Sequence, residues 1–138
     1  MIPKPKKKKG IFQVTIRTSD TLWTKYKRIK EKYTCQKCGR VYPLDNCRNL
    51  GVMHYHGRGH ENVRFDEENT LLGCNIPCHR YLDQHKGEFR EFMIKRLGQE
   101  RYDLLELRAH IRKDRDDKSD CIIIKELLKQ ETVGALIE

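Results

Sequence analysis

Two short cysteine pairs constrain the fold of this chain more than any other feature. Two residues separate Cys35 from Cys38, and three residues separate Cys74 from Cys78. Spacings of this kind let each of two turns present two thiolates to one tetrahedral zinc ion. We therefore predict a structural Zn²⁺ site formed by these four cysteines, which would fix two distant segments of the chain against each other.

Disulfide bonds are the alternative use of such pairs. The basic first residues are not followed by an apolar signal segment, so we expect an intracellular protein, and cysteines in a reducing compartment more often bind metal. The remaining cysteines, Cys47 and Cys121, have no close partner in the sequence and are not assigned to the site.

The composition indicates one small domain that needs support besides its core. The chain has 138 residues, of which 37% are hydrophobic and 36% are charged. A modest apolar core of this size is often supplemented by a structural metal. We expect a disordered basic arm over residues 1–10 and a single domain over residues 11–138, with a core at about 33–97 and helices at about 100–138.

Positive charge is concentrated at the N-terminal end. Residues 1–40 hold 13 Lys and Arg against two Asp and Glu, whereas the rest of the chain holds 16 against 18. A concentrated cationic segment attracts nucleic acid through counterion release, and no run approaches the roughly 20 apolar residues that span a membrane. The arm is interpreted either as a solubilising or import-type tail or as a phosphate-binding segment. Its candidate phosphate ligands are Lys6, Lys7, Lys8 and Lys9.

Hydrophobic spacing predicts an α+β fold. A helix is expected over residues 21–33 with Ser19 or Asp20 as its cap, and strands over 52–56 and 70–72 form a hairpin with a wide connection. Helical spacing then runs from residue 78 to Gly98, with an interruption near residues 85–87. Two further helices are predicted over residues 100–112 and 121–130.

Histidines flank the second cysteine pair. His79 follows Cys78 directly, and the predicted hairpin carries His54 and His56. If all four cysteines bind one zinc ion, His79 is held near the strand that carries His54. Such a pair suits phosphodiester hydrolysis, in which an imidazole deprotonates water while a divalent ion neutralises the phosphate and the leaving oxygen.

The order of these residues resembles the HNH endonuclease motif: a C-x2-C pair, a strand histidine (His54), an asparagine (Asn69), and a histidine after the second pair (His79). Over roughly residues 20–108, including RFDEEN and the helix after Gly98, the chain is similar to the phage Rap/NinG recombination nucleases. That family acts on branched DNA. The resemblance implies a ββα-metal (HNH, or His-Me finger) core, DNA as partner, and a phage-infected host cell as location.

The resemblance also implies roles for single residues. His54 becomes the general base, Asn69 ties the loop and orients that base, and His79 and His85 become ligands of an exchangeable catalytic Mg²⁺ or Mn²⁺ ion. Helix geometry offers another ligand, because Asp83 lies four residues after His79 and therefore on the same face. The sequence leaves the choice between His85 and Asp83 open.

The first strand also leaves an alternative. Met53 stands where HNH enzymes often carry a metal ligand, and a thioether does not bind a hard cation. His56 shares a strand face with His54 if the strand continues, so either His54 is the base, or His54 is a ligand and His56 is the base.

Around this site Arg58, Arg64 and Arg80 are expected either to clamp DNA phosphates or to form a solvated face. The function predicted is a metal-dependent DNA endonuclease that cleaves branched recombination intermediates or duplex DNA, acting as a homodimer if the last helix pairs with a second copy. The alternatives are a zinc-stabilised DNA-binding module without cleavage activity and an RNA-directed nuclease.

Overall fold

The computed structural model describes residues 2–3 and 16–137 and has the α+β class that the sequence predicts. The predicted arm over residues 1–10, with its lysines at 6–9, lies outside these residues except at 2–3. In the described part, a two-stranded sheet packs with helices. These elements are α1 (Thr18–Lys30), β1 (Leu50–His54), β2 (Thr70–Cys74), α2 (Arg80–Gln84), α3 (Lys86–Leu97), α4 (Gln99–Ala109) and α5 (Asp117–Ile137).

Helix α1 begins slightly earlier than the sequence predicts. The Asp20 carboxylate accepts a hydrogen bond from the Arg17 N–H at 2.8 Å, so Asp20 caps the helix from inside its first turn. Beyond the helix, Lys32 and Tyr33 both have positive φ, 52° and 54°. Two successive left-handed residues reverse the chain sharply, and this reversal leads it into the first cysteine turn.

The hairpin is antiparallel, with Leu50 opposite Cys74 and His54 opposite Thr70. Residues 55–69 form the wide connection, which includes a short 3₁₀ turn at Glu61–Val63. The predicted hairpin is confirmed, although β1 ends at His54 and does not reach residue 56.

Neighbouring residues of β1 pack on different helices, as the alternation of a strand requires. Met53 is fully buried in a cluster with Phe89 and Met93 of α3. Val52 instead packs with Trp23 of α1 and with α5. The sheet is therefore covered by α1 and α5 through one set of side chains and by the later helices through the other.

A buried ion pair joins α1 to the hairpin connection. Arg64 is fully buried, and its Nε donates to an Asp20 carboxylate oxygen at 2.9 Å. Burial on its own would raise the pKa of Asp20, but the hydrogen bonds from Arg64 and from the Arg17 N–H outweigh it and lower the pKa. Asp20 therefore stays ionised opposite a permanent cation.

The helical region after the hairpin breaks where the sequence predicts. α2 ends at Gln84, His85 has non-helical angles (φ −125°, ψ 69°), and α3 begins at Lys86. α3 is separated from α4 by Gly98, whose φ of +83° is readily available only to glycine. Within residues 16–137, no helix is both long and apolar enough to cross a bilayer.

Candidate active site beside a four-cysteine cluster

The four paired cysteines come together as the spacing predicts. The sulfur atoms of Cys35, Cys38, Cys74 and Cys78 all lie within 4.8 Å of one another, and none of them forms a disulfide. Four thiolates at such distances match the donor set of a tetrahedral zinc site. The cluster can therefore hold a metal ion such as zinc, and it excludes Cys47 and Cys121.

Local structure explains how the two pairs meet. Cys35 and Cys38 lie in a turn closed by the hydrogen bond from Gly39 N–H to Cys35 C=O at 2.9 Å, with Gly39 in a positive-φ conformation. Cys74 is the last residue of β2, and Cys78 lies in the turn before α2. The cluster thus joins the end of the hairpin to the start of α2.

The thiol environment favours metal binding. The backbone N–H groups of Cys38 and Cys74 each point to the Cys35 sulfur at 3.4 Å. Burial would raise the pKa of Cys35, but these hydrogen bonds lower it by more, so the thiolate is favoured. Tyr42 Oη also donates to the Cys74 sulfur at 3.0 Å. Donors directed at sulfur stabilise the charged form that zinc binds, but burial and the neighbouring cysteines still raise the pKa of Cys74 and Cys78. A bound cation would hold all four thiols deprotonated.

A surface cleft of about 510 Å³ opens beside the cysteine cluster. On one side it is lined by His54 and by the residues that follow β1, and on the other by His79 and α2. The lining residues are Val52, His54, Tyr55, Gly57, Arg58, His79, Asp83 and Lys86. The structure therefore brings together the two histidines that the sequence singles out.

The tautomer of His54 follows from its hydrogen bond. His54 Nε2 lies 3.0 Å from the backbone carbonyl of Arg64, and a carbonyl oxygen can only accept. Nε2 therefore carries the proton, and Nδ1 keeps its lone pair. Burial, reinforced by the positive charge of Arg58, lowers the pKa of His54 to about 4. The ring is consequently neutral at physiological pH.

Across the cleft, His79 and Asp83 form a pair. His79 Nε2 lies 3.1 Å from an Asp83 carboxylate oxygen, and both side chains are partly exposed. Lys86 Nζ reaches another oxygen of the same carboxylate at 3.4 Å. One imidazole and one carboxylate at this separation can share a divalent ion.

Asn69 is fully buried at the end of the hairpin connection. Its Oδ1 accepts from the His56 N–H at 2.8 Å, and its Nδ2 donates to the carbonyls of His56 and Val63, both at 3.0 Å. The side chain therefore closes the loop immediately after the strand that carries His54, which is the geometry the sequence predicts for it.

Two predicted site residues do not reach the cleft. His56 turns toward α4, where its Nε2 lies 2.8 Å from Glu106, because β1 ends at His54 and the strand alternation does not continue. His85 stacks on Tyr81, with ring centroids 4.1 Å apart, because the helix is broken at that residue. The geometry thus favours His54 over His56 as the base and Asp83 over His85 as the metal ligand.

The predicted arginine clamp needs a correction. Arg58 lines the cleft, and Arg80 is exposed at the start of α2. Arg64 is fully buried and paired with Asp20, so the prediction that it binds DNA is wrong, because a phosphate cannot reach it. Sequence reasoning also missed Lys86, which lines the cleft from the first position of α3, because the helix break at His85 interrupts the spacing from His79.

Comparison of the chain with protein-family models, with curated proteins and with solved structures found no match.

Proposed function

We propose that this chain is a metal-dependent DNA endonuclease with a ββα-metal core, in which His54 is the general base. The observation that carries the proposal is the shared cleft: His54 reaches it from β1, while His79 and Asp83 reach it from the start of α2. The cysteine cluster lies where these two elements are joined. A strand histidine facing metal-type ligands on a helix suits phosphodiester hydrolysis.

The chain offers donors for two kinds of metal. The four cysteines would hold a structural Zn²⁺, whereas His79 and Asp83 would hold Mg²⁺ or Mn²⁺ with water completing the coordination. When bound, the hard cation supplies positive charge that neutralises the phosphate and the leaving oxygen. Lys86 and Arg58 line the same cleft and add positive charge of their own.

His54 takes the proton of the water molecule that attacks the phosphate. A water molecule attacks phosphorus, its oxygen forms the new P–O bond, and its proton passes to His54 Nδ1, while the P–O bond to the 3′ oxygen of the sugar breaks. The departing oxygen takes a proton from solvent. The carbonyl of Arg64 accepts from Nε2–H and so holds the ring in orientation throughout.

Asn69 is proposed as a positioning residue. Its hydrogen bonds to His56 and Val63 fix the connection between the strands, and the Arg64 carbonyl that orients His54 belongs to the same connection. Loss of this amide would leave the His54 ring without a fixed partner.

Charge around the cleft supports a polyanionic substrate. Arg58 lines both the cleft and a neighbouring hollow of about 350 Å³, which is also lined by Lys25 and Arg28 of α1. Asp20, which pairs with Arg58 at 3.6 Å, is the one acidic residue that lines this hollow. Several cations close to a hydrolytic site suit a phosphodiester backbone. The choice of branched DNA as substrate rests on the family resemblance alone.

A zinc-stabilised DNA-binding module without cleavage activity is the second candidate. Among the described residues, only the four cysteines form a group of three or more possible metal ligands with all donor atoms within 4.8 Å of one another. His79 and Asp83 have no third ligand side chain at such a distance. Met53 is buried in the core and supplies none.

Nicking of supercoiled plasmid DNA with Mg²⁺ or Mn²⁺ tests the proposal. We expect nicking by the wild type, its loss in His54→Ala with DNA binding retained, and normal nicking by His85→Ala as the matched control. Binding without nicking by the wild type would establish the second candidate. Labelled linear duplex, flap, four-way junction and RNA substrates, compared side by side, then identify the substrate class.

A further inference from the structure

A second group of histidines lies outside the cleft, between the hairpin connection and the end of α4. The ring centroid of His56 lies 5.3 Å from that of His60 and 6.4 Å from that of His110, and the last two are also 6.4 Å apart. Glu106 adds a carboxylate whose Oε1 lies 2.8 Å from His56 Nε2. Three imidazoles and one carboxylate therefore converge from two separate segments.

Backbone carbonyls fix the protons of two of these rings. His60 Nδ1 lies 3.1 Å from the carbonyl of Ala109, and His110 Nδ1 lies 2.7 Å from the carbonyl of Glu106. Since a carbonyl can only accept, each Nδ1 carries a proton, and in the neutral tautomer of each ring Nε2 is the nitrogen with the lone pair. Histidines that bind metal are commonly oriented in this way, with the second nitrogen donating to a backbone carbonyl.

We propose that His56, His60, His110 and Glu106 form a second transition-metal site, selective for Zn²⁺ over Mg²⁺. Three nitrogens and one carboxylate oxygen are ligands that zinc accepts in tetrahedral geometry, and a set of three imidazoles suits zinc better than Mg²⁺, which prefers mostly oxygen ligands. The site is separate from the cysteine cluster and from the cleft residues His79 and Asp83.

Metal binding would have to draw these donor atoms together, since among the described residues the four cysteines are the group of three or more ligand side chains whose donor atoms already lie within 4.8 Å of one another. With metal–ligand distances of about 2.0–2.1 Å, two tetrahedral ligand atoms lie about 3.3 Å apart and two imidazole centroids about 5 Å apart. The His56–Glu106 contact at 2.8 Å would lengthen slightly, and the 6.4 Å centroid separations would shorten by roughly 1 Å. A hollow of about 140 Å³ that His60 and His110 line gives these two rings space to turn.

An ion at this position would clip the loop after β1 to the end of α4. The loop already has one tie nearby, from Asn62 Nδ2 to the carbonyl of Arg108 at 2.9 Å. Gly57 and Arg58 of the same loop line the cleft. Zinc at the histidine site would therefore hold the cleft-lining loop in place without touching the reacting atoms.

Zinc stoichiometry and affinity, measured on the full chain, test the proposal. The His79→Ala variant serves as the background, so that zinc captured in the cleft is not counted. Protein equilibrated with Zn²⁺ and then desalted is expected to hold two zinc ions per chain in this background. Adding His60→Ala and His110→Ala should reduce the number to one. Calorimetric titration of the second ion should show at least the roughly 10–100-fold weakening that loss of a supporting group causes.

The controls separate a metal site from a fold effect. His85→Ala in the same background should keep two zinc ions, because this ring stacks on Tyr81 away from the cluster. Glu106→Gln preserves the side-chain shape and should weaken only the second ion. Circular dichroism and the thiolate-to-Co²⁺ absorption of the cysteine site report whether each variant is folded. Equal zinc number and affinity with and without the histidines, or in Glu106→Gln, would overturn the proposal.

Discussion

The side-chain amide of Asn69 brackets the backbone of His56, accepting from its N–H at 2.8 Å and donating to its C=O at 3.0 Å. The strand pairing ends at His54, the Tyr55 N–H then donates to the Asn69 carbonyl at 3.0 Å, and the Asn69 side chain extends the hydrogen bonding to His56, two residues beyond the strand. The buried amide of Asn69 thus bonds the N–H and C=O groups of His56 that a partner strand would otherwise bond.

Replacement of Asn69 by alanine tests that relationship. The variant leaves the part-buried N–H and C=O of His56 without their partner, whereas the Val63 carbonyl keeps its bond from the Asp66 N–H at 3.2 Å. The free energy of unfolding should therefore fall by about 1–3 kcal/mol for each group left unsatisfied. Urea denaturation measures this loss. The exposed Asn46 offers a matched control, for which alanine should change stability by less than about 0.5 kcal/mol. Similar losses of unfolding free energy in the Asn69 and Asn46 variants would contradict the role given to the Asn69 hydrogen bonds.

Substitution of Cys38 by serine tests the metal assignment of the cysteine cluster. Zinc should be lost, and the melting temperature should fall by more than about 10 °C, because metal-binding energy is also folding energy and each kcal/mol is worth about 2–8 °C. Zinc analysis and thermal melting check both effects. Cys121→Ser is the control, since this residue is not in the cluster. A zinc-free Cys38→Ser protein with unchanged melting would refute the structural role.

The pKa of His54 predicts an acid-sensitive contribution to stability. Burial and the charge of Arg58 lower the pKa to about 4 in the folded protein, against an ordinary value of 6.5. Between these values the unfolded chain binds more protons, so stability falls as the pH falls from about 6.5 toward 4. Relative to His54→Gln, the wild type should lose about 2 kcal/mol between pH 7 and pH 5. Parallel pH profiles for the two proteins would contradict the low pKa.

The salt dependence of DNA binding tests the cations beside the cleft. Arg58→Ala should reduce the slope of log Kd against log salt concentration by about one, the effect of losing one phosphate contact. Fluorescence anisotropy with a labelled duplex measures the slope. Lys129→Ala, an exposed change on α5, should leave it unaltered. An unchanged slope for Arg58→Ala would remove this residue from the interface.

The corrected role of Arg64 predicts a stability effect without a binding effect. Arg64→Met should lower the free energy of unfolding by about 3–5 kcal/mol, because the buried Asp20 carboxylate loses its hydrogen-bonded cation and keeps only the more distant Arg58, at 3.6 Å. The salt slope of DNA binding by the folded fraction should stay as in the wild type. The exposed Arg112 provides the control, and its replacement by methionine should be nearly neutral. A stable Arg64→Met protein whose DNA binding has a reduced salt slope would instead support the sequence prediction that Arg64 contacts DNA.

The sequence by itself determined the features that depend on short-range spacing. The C-x2-C and C-x3-C pairs identified the four thiols that lie close enough together to hold a metal ion, and alternating and helical patterns located the hairpin and the helix break near His85. These predictions succeeded because turn geometry and hydrophobic periodicity are encoded by neighbouring residues.

Only the tertiary structure decided which polar side chains face the cleft. Arg58 and Arg64 are equally basic in the sequence, yet Arg58 lines the cleft and Arg64 is buried. Arg64 donates hydrogen bonds to both carboxylate oxygens of Asp20 on the distant helix α1, whereas Arg58 only approaches that carboxylate at 3.6 Å. Likewise, β1 ends two residues before His56, so the His56 ring turns away from the cleft. It lies instead 6.4 Å from the ring of His110, which directly follows α4. Partners far apart in the chain set the exposure and protonation of such groups, and spacing along the sequence carries no record of them.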